Sequence, residues 1–160
     1  SDQVTEEEKA PIYEILRRFN DTAPIGEAIH KPAWCIPYEK WITLARRSDD
    51  ESLPKGPVIT VSALGNPASF ERTVTDWGYT ISSTMRFGDH HQYTHRDIEA
   101  IRNCCDRYHV PVVTTEKDAV KLDPTWVMHQ HIPLYVLGIE IEITTGKERL
   151  QQMLRQLLGG

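Results

Sequence analysis

Val58-Ile59-Thr60-Val61-Ser62-Ala63-Leu64, halted by Gly65-Asn66-Pro67, carries the clearest structural signal in this chain. A nearly unbroken apolar run rich in β-branched residues is the pattern of a strand covered on both faces, as in a parallel sheet; a half-exposed strand would alternate. The Gly-Asn-Pro stop opens a helix, expected from about Ala68 to Trp77. Tyr79 to Phe87 then reads as a strand. Thr94, with Asp97 three residues later, caps a helix carrying Ile98, Ile101, Cys104, Cys105 and Tyr108. Val110 to Thr115 is another strand, Glu116 to Leu122 a short helix, Ile132 to Ile143 the last strand or pair of strands, and Thr145 to Leu158 a closing helix. Strand and helix alternate four times. That order predicts an α/β fold, three layers α/β/α around a mainly parallel sheet with right-handed crossovers.

Before this regular part, Thr5-Glu6-Glu7-Glu8 is a capping box for a helix running to about Asn20, and Pro24 to Ile29 reads as a short strand. Lys31 to Lys55 contains Pro32, Pro37 and Pro54, a Trp34-Cys35-Ile36 patch and the charged run Arg46 to Glu51, and reads as a linker. Three segments are therefore expected: 1–30, a linker over 31–55, and an α/β lobe over 56–160.

The composition, 39% apolar and 26% charged over 160 residues, is that of one ordinary globular domain. A net charge of −5 gives no general attraction to nucleic acid or to an anionic membrane, so no nucleic-acid partner is expected. Pro124 to Ile139, the longest stretch free of Asp, Glu, Lys and Arg, is broken by prolines and histidines and is too short to span a bilayer. Three cysteines without metal-site spacing read as reduced cytosolic thiols. The start at Ser1-Asp2-Gln3 shows no basic and apolar signal. It raises the expectation that these residues are the latter part of a longer protein.

Ligands of open parallel sheets bind outside the carboxyl ends of the strands. Three loops leave such ends: Gly65-Asn66-Pro67, Gly88 to Tyr93, and Thr115 to Asp118. Asp89, His90, His91 and His95 place one carboxylate and three imidazoles within seven residues. A carboxylate beside an imidazole orients it and raises its basicity, which serves proton transfer and stands behind metal ligands. The same loop reads equally as a solvated turn. His91 and His95 share a face if the segment is helical, yet Gln92 stands where a zinc-protease pattern needs Glu. Lys117 could meet an anion, or Thr115 could simply cap a helix with Asp118 as its capping partner. Asn66 either borders a ligand or serves a tight turn. No GxxxxGK[ST] phosphate loop is present: Gly146-Lys147 is followed by Glu148 and has Ile141 where the first Gly should stand.

Val61 to Phe70, Phe87-Gly88-Asp89-His90-His91-Gln92-Tyr93-Thr94, and Val112 to Leu122, in that order and spacing, resemble three successive signatures of the tetraacyldisaccharide 4'-kinases of lipid A biosynthesis. The Thr5 to Asn20 helix resembles the stretch just before that family's second domain. Two departures are small: Gly88 stands where the family usually has Pro, and Ala63-Leu64 precede the Gly-Asn-Pro turn. A larger one is that the family's amino-terminal half, with its P-loop, lies outside these residues.

The resemblance implies an enzyme of two α/β/α lobes that moves the γ-phosphoryl of ATP to the 4'-hydroxyl of an acylated glucosamine disaccharide phosphate. Residues 1–30 would end the P-loop lobe, which would hold ATP and Mg²⁺, and 56–160 would form the second lobe. His90 inherits the role of the imidazole that pairs with an acidic residue of the other lobe near the attacking hydroxyl. Asp89 and Tyr93 would orient it. His91, Tyr93, Asn66 and Lys117 would line the substrate or nucleotide cleft. No metal ligand is expected in this chain. The complete enzyme would be cytoplasmic and peripheral to the bacterial inner membrane. Two other readings stand beside this one: a metal-dependent phosphoesterase using Asp89-His90-His91, and a non-catalytic remnant that keeps the fold.

Overall fold

The computed structural model describes residues 5–43 and 52–158. The elements are α1 (Glu6–Phe19), β1 (Glu27–Pro37), α2 (Tyr38–Ile42), β2 (Pro57–Ser62), α3 (Pro67–Asp76), β3 (Thr80–Arg86), α4 (His95–Tyr108), β4 (Val112–Thr115), α5 (Glu116–Ala119), α6 (Pro124–His129), β5 (Leu134–Thr145) and α7 (Lys147–Leu158). They divide into two compact units. One joins the chain through Lys31 with the chain from Glu140 onward; the other is Pro32–Ile139.

In the Pro32–Ile139 unit the strands lie in the order β1-β5-β4-β2-β3. β2 pairs in parallel with β3 and β4, and β4 in parallel with β5. Numbers rise along β1 as those of its β5 neighbours fall, Glu27 beside Thr145, Lys31 beside Glu142 and Trp34 beside Gly138. β1 is thus an antiparallel edge on a mainly parallel sheet.

Both faces of this sheet are covered, and for that reason β2 reads as a continuous apolar run. Val58 turns to one face with Phe70 and Val74 of α3, and Val113 joins them. Ile59 and Val61 turn to the other, against Ile98, Ile101 and Cys105 of α4 and Val127 of α6. Each fully buried Val or Ile here contributes about 1.5–3 kcal/mol relative to exposure. The expected three layers are present.

Pairing of β1 with β5 depends on close approach. A side-chain carbon at Gly138 would stand 2.0 Å from the Trp34 indole, so only Gly allows the ring to lie across β5. Gly138→Ala should therefore destabilise this unit by about 1–3 kcal/mol through forced displacement of the ring, read as a lowered melting temperature with loss of Trp34 burial. An unchanged melt would show that the ring simply moves aside.

The sequence reading of 31–55 as linker is corrected where the structure describes it. Lys31–Pro37 continues β1, Tyr38–Ile42 is helical, and Cys35, Ile36, Tyr38 and Leu53 are buried. Residues 44–51, with the charged run, lie outside the described residues. The strand expected at Pro24 to Ile29 begins at Glu27 and runs to Pro37. α5 is shorter than expected, and an unexpected helix, α6, follows it, capped by the Asp123 carboxylate on the Thr125 amide at 2.8 Å.

In the other unit, α1 starts on the foreseen capping box. The Thr5 hydroxyl accepts from the Glu8 amide at 3.3 Å, and the Glu8 carboxylate accepts from the Thr5 amide at 2.8 Å. Those hydrogen bonds hold the Glu8 carboxyl below its ordinary range. Lys9 pairs with Glu27 at 2.8 Å, linking α1 to the start of β1. Gly146, at φ 72°, turns the chain from β5 into α7 where any side-chain carbon would meet the Ile25 carbonyl at 2.5 Å.

Candidate functional site

Three loops of the Pro32–Ile139 unit converge at the carboxyl ends of β2, β3 and β4. β3 delivers Asp89. Its Oδ1 accepts from the His90 amide at 3.0 Å, and its Oδ2 lies 3.6 Å from His90 Nε2. From the loop after β4, Lys117 brings its ammonium within 3.7 Å of the same carboxylate. From the loop after β2, Gly65 comes so near that an added carbon would stand 3.4 Å from Asp89 Oδ2. Asp89 is therefore the meeting point of all three.

The two adjacent imidazoles are held very differently. His90 sits at φ 61°, a left-handed conformation unusual for a residue with a side chain, and its ring is 79% exposed. His91 is fastened. Its Nε2 lies 3.0 Å from Asp97 Oδ2, and its ring stacks on Phe87 at 4.8 Å and meets Tyr93 edge-on at 5.5 Å. Asp97 Oδ2 also accepts from the Thr94 amide and hydroxyl, both at 2.7 Å. Burial alone would raise the Asp97 carboxyl; the bonds from Thr94 and His91 outweigh it and hold the group below its usual range. One carboxylate thus caps α4 and anchors His91, leaving His90 as the imidazole that faces solvent.

The other foreseen residues divide. Asn66 is spent on capping α3, accepting from the Ser69 amide at 3.2 Å. Tyr93 is in the core rather than the cleft: it is 6% exposed, and its ring supports Phe87 and His91. Burial first, and then the charge of Asp118, push its phenol well above the ordinary range. Lys117 is exposed beside Asp89. His91 and His95 do not share a helix face, because α4 begins only at His95; His95 instead meets Trp126 edge-on at 5.7 Å.

Asp118 is the residue whose importance the sequence understated. It caps α5 with Thr115, as its spacing foretold, but it is also 0% exposed and reaches across the sheet. Oδ2 accepts from the Thr115 hydroxyl at 2.9 Å and from the Ala63 amide at 3.1 Å, while Oδ1 takes the Lys121 ammonium at 3.0 Å. The amide that leads into Gly65-Asn66-Pro67 is therefore fixed by a carboxylate from the next loop.

The arrangement suits proton handling beside an anion. A strained, exposed imidazole is backed by a carboxylate, and the ammonium of Lys117 stands beside that carboxylate. Among the described residues no three His, Cys, Asp or Glu side chains gather to hold a metal ion, and no phosphate-cradling loop is present.

A three-layer α/β unit with polar side chains on the loops after successive parallel strands has the arrangement in which open α/β sheets bind ligands. The family model described as Tetraacyldisaccharide-1-P 4'-kinase matches residues 4–159, and the chain belongs to that family. A tetraacyldisaccharide 4'-kinase of Halothermothrix orenii is 35% identical over 150 residues, covering 88% of this chain and 39% of the relative. The one from Elusimicrobium minutum is 30% identical over 152 residues, covering 92% and 38%. A crystal structure of the "apo" form of LpxK from Aquifex aeolicus in complex with ATP overlaps 90% of this chain and 44% of its own, at 14% identity and a TM-score of 0.47. This chain spans under two-fifths of the length of those two kinases.

Proposed function

We propose that this chain supplies the carboxy-terminal lobe of a kinase that transfers the γ-phosphoryl of ATP to the 4'-hydroxyl of a tetraacylated glucosamine disaccharide 1-phosphate in lipid A biosynthesis. The observation that carries the reading is the family match across residues 4–159, together with the Asp89–His90 pair and Lys117 presented on one sheet edge. A P-loop lobe, with residues 1–30 at its end, would hold ATP and Mg²⁺. The complete enzyme would work in the cytoplasm against the inner membrane; among the described residues no helix is long and apolar enough to cross a membrane.

Phosphoryl transfer depends on positioning and on stabilising charge, with one group placed to take the proton of the attacking hydroxyl. His90 fills that place. The 4'-oxygen forms its bond to the γ-phosphorus as the bond to the departing ADP oxygen breaks, and the hydroxyl proton passes toward the imidazole. The exposed ring can then pass the proton on to water. Asp89 fixes His90 through its backbone amide, and Lys117 balances the carboxylate and offers positive charge to an entering phosphate.

The isolated 160-residue chain should melt cooperatively and show no ATP-dependent phosphorylation of a lipid A precursor. Addition of the amino-terminal lobe of the Halothermothrix orenii relative should restore the reaction. Turnover by the chain alone would show that it holds ATP itself, and a chain that stays silent with the lobe present and bound would count against the kinase reading.

A further inference from the structure

Tyr93 carries a hydroxyl that its packing does not require. The side chain is 6% exposed, yet its oxygen has no hydrogen-bond partner among the described residues. Buried hydroxyls are ordinarily paired, and one left unpaired weakens a fold relative to an apolar group of the same shape. A phenylalanine would fill this space without that loss.

The ring itself is fully employed. It meets Phe87 edge-on at 5.2 Å and His91 edge-on at 5.5 Å, while His91 stacks on Phe87 at 4.8 Å. Tyr93 thus backs the residue that follows His90 in the chain. Each of these contacts is ring against ring, and none calls for the oxygen.

The acceptor nearest in kind and place is Asp118. Burial first, and then the Asp118 carboxylate, keep the phenol protonated at any working pH, with Asp97 contributing less. The hydroxyl can therefore donate a hydrogen bond but cannot serve as a base. Asp118 has room for it. Oδ2 accepts from the Ala63 amide and the Thr115 hydroxyl, and Oδ1 from the Lys121 ammonium, whereas an ionised carboxylate offers about four acceptor sites. The open site is on Oδ1. Asp118 stands in the loop after β4 and already holds the loop after β2 through Ala63. A bond from Tyr93 brings in the loop after β3, so that the three loops meeting at Asp89 are also joined from beneath.

We propose that Tyr93 is a positioning residue for the phosphoryl transfer: with substrate in the cleft its hydroxyl donates to Asp118, and this bond holds the His90 turn in register with the loops of Gly65 and Lys117. The inference rests on the kinase reading and deepens it. In the unfilled lobe the bond is unmade, and the fold carries a small loss of stability in exchange for a turn that tightens when the hydroxyl to be phosphorylated arrives. A bond made only on the way to the transition state raises kcat without tightening the binding of substrate.

Tyr93→Phe keeps the ring and removes the oxygen, so stability and rate should move apart. In the 160-residue chain the melting temperature should hold or rise. With the amino-terminal lobe of the Halothermothrix orenii relative added, kcat should fall about tenfold, while KM for ATP and for the lipid A precursor each stay within about twofold. The same substitution in an Asp118→Asn background, where the amide nitrogen takes the place of Oδ1, should change kcat by less than about twofold. A kcat equal to the parent's in Tyr93→Phe would overturn the inference and leave the kinase reading standing. A lowered melting temperature would show that the hydroxyl is already bonded in the free chain, and would overturn it whatever the rate. A tenfold loss that persists in the Asp118→Asn background would show that the hydroxyl acts through another group, with the same result. Absence of turnover by the parent chain with the lobe bound would remove the kinase reading and this inference together.

Discussion

His90→Ala in the two-lobed kinase should lower kcat by about 10²- to 10⁴-fold, the usual cost of losing a proton-handling group, with a smaller change in KM. The melting temperature should hardly move. The ring is 79% exposed, so little burial is lost, and an alanine at φ 61° adds only the small penalty by which it tolerates that conformation less well than histidine. His91→Ala should behave in the opposite sense. It removes the 3.0 Å contact to Asp97 and the stack on Phe87, so the melting temperature falls, and whatever rate is lost reflects a loosened turn. Measuring kcat, KM and melting temperature for both variants separates the roles. Full activity in His90→Ala would end the case for this imidazole, and a pure kcat loss in His91→Ala would move the role by one residue.

Asp118→Ala should be the most damaging single change to stability. The carboxylate is 0% exposed, and three donors converge on it: the Ala63 amide, the Thr115 hydroxyl and the Lys121 ammonium. Removing one partner of a buried ion pair costs about 3–5 kcal/mol in an interior. The Lys121 side chain is 13% exposed and can turn partly to water, which reduces the expected loss to about 2–4 kcal/mol. For a unit of this size that lowers the melting temperature by roughly 10–15 °C. Thermal unfolding followed by circular dichroism reads it directly. Lys121→Met should also destabilise, because it leaves the carboxylate buried without its cation. A melt of Asp118→Ala within two degrees of the parent chain would show that the pair is not holding the loops.

Local chemistry made much of the fold legible. The unbroken run at β2 announced burial on both faces, and the caps at Thr5, Thr94 and Thr115 all formed where their spacing placed them. β1 was hidden by Pro32 and Pro37, which argue against a central strand; an edge strand tolerates them, because its outer side has no ladder to lose. α6 was missed although Asp123-Pro124 is a serviceable helix start, because the apolar residues after it are too few to show a period. Asp89, His90 and Lys117 lie near one another, as expected of residues on predicted strand ends. Tyr93, which the resemblance set in the cleft, is buried, because a sequence shows which residues share a loop but not which way each ring turns. Asp118 was seen as a cap, its local role; its bond to Ala63 spans 55 residues and leaves no trace in spacing.

That 55-residue span also sets an order of events. While the polypeptide is being made, β2 and β3 can come together once Arg86 has emerged, yet the amide of Ala63 has no carboxylate to meet until Asp118 follows and β4 takes its place beside β2. Closing so long a loop is entropically unfavourable until the strands that reward it are in register. The turn bearing Gly65 and Asn66 is therefore fastened from behind by the short helix that follows β4, and a nascent chain cut short before residue 118 holds two paired strands with an untied ligand edge.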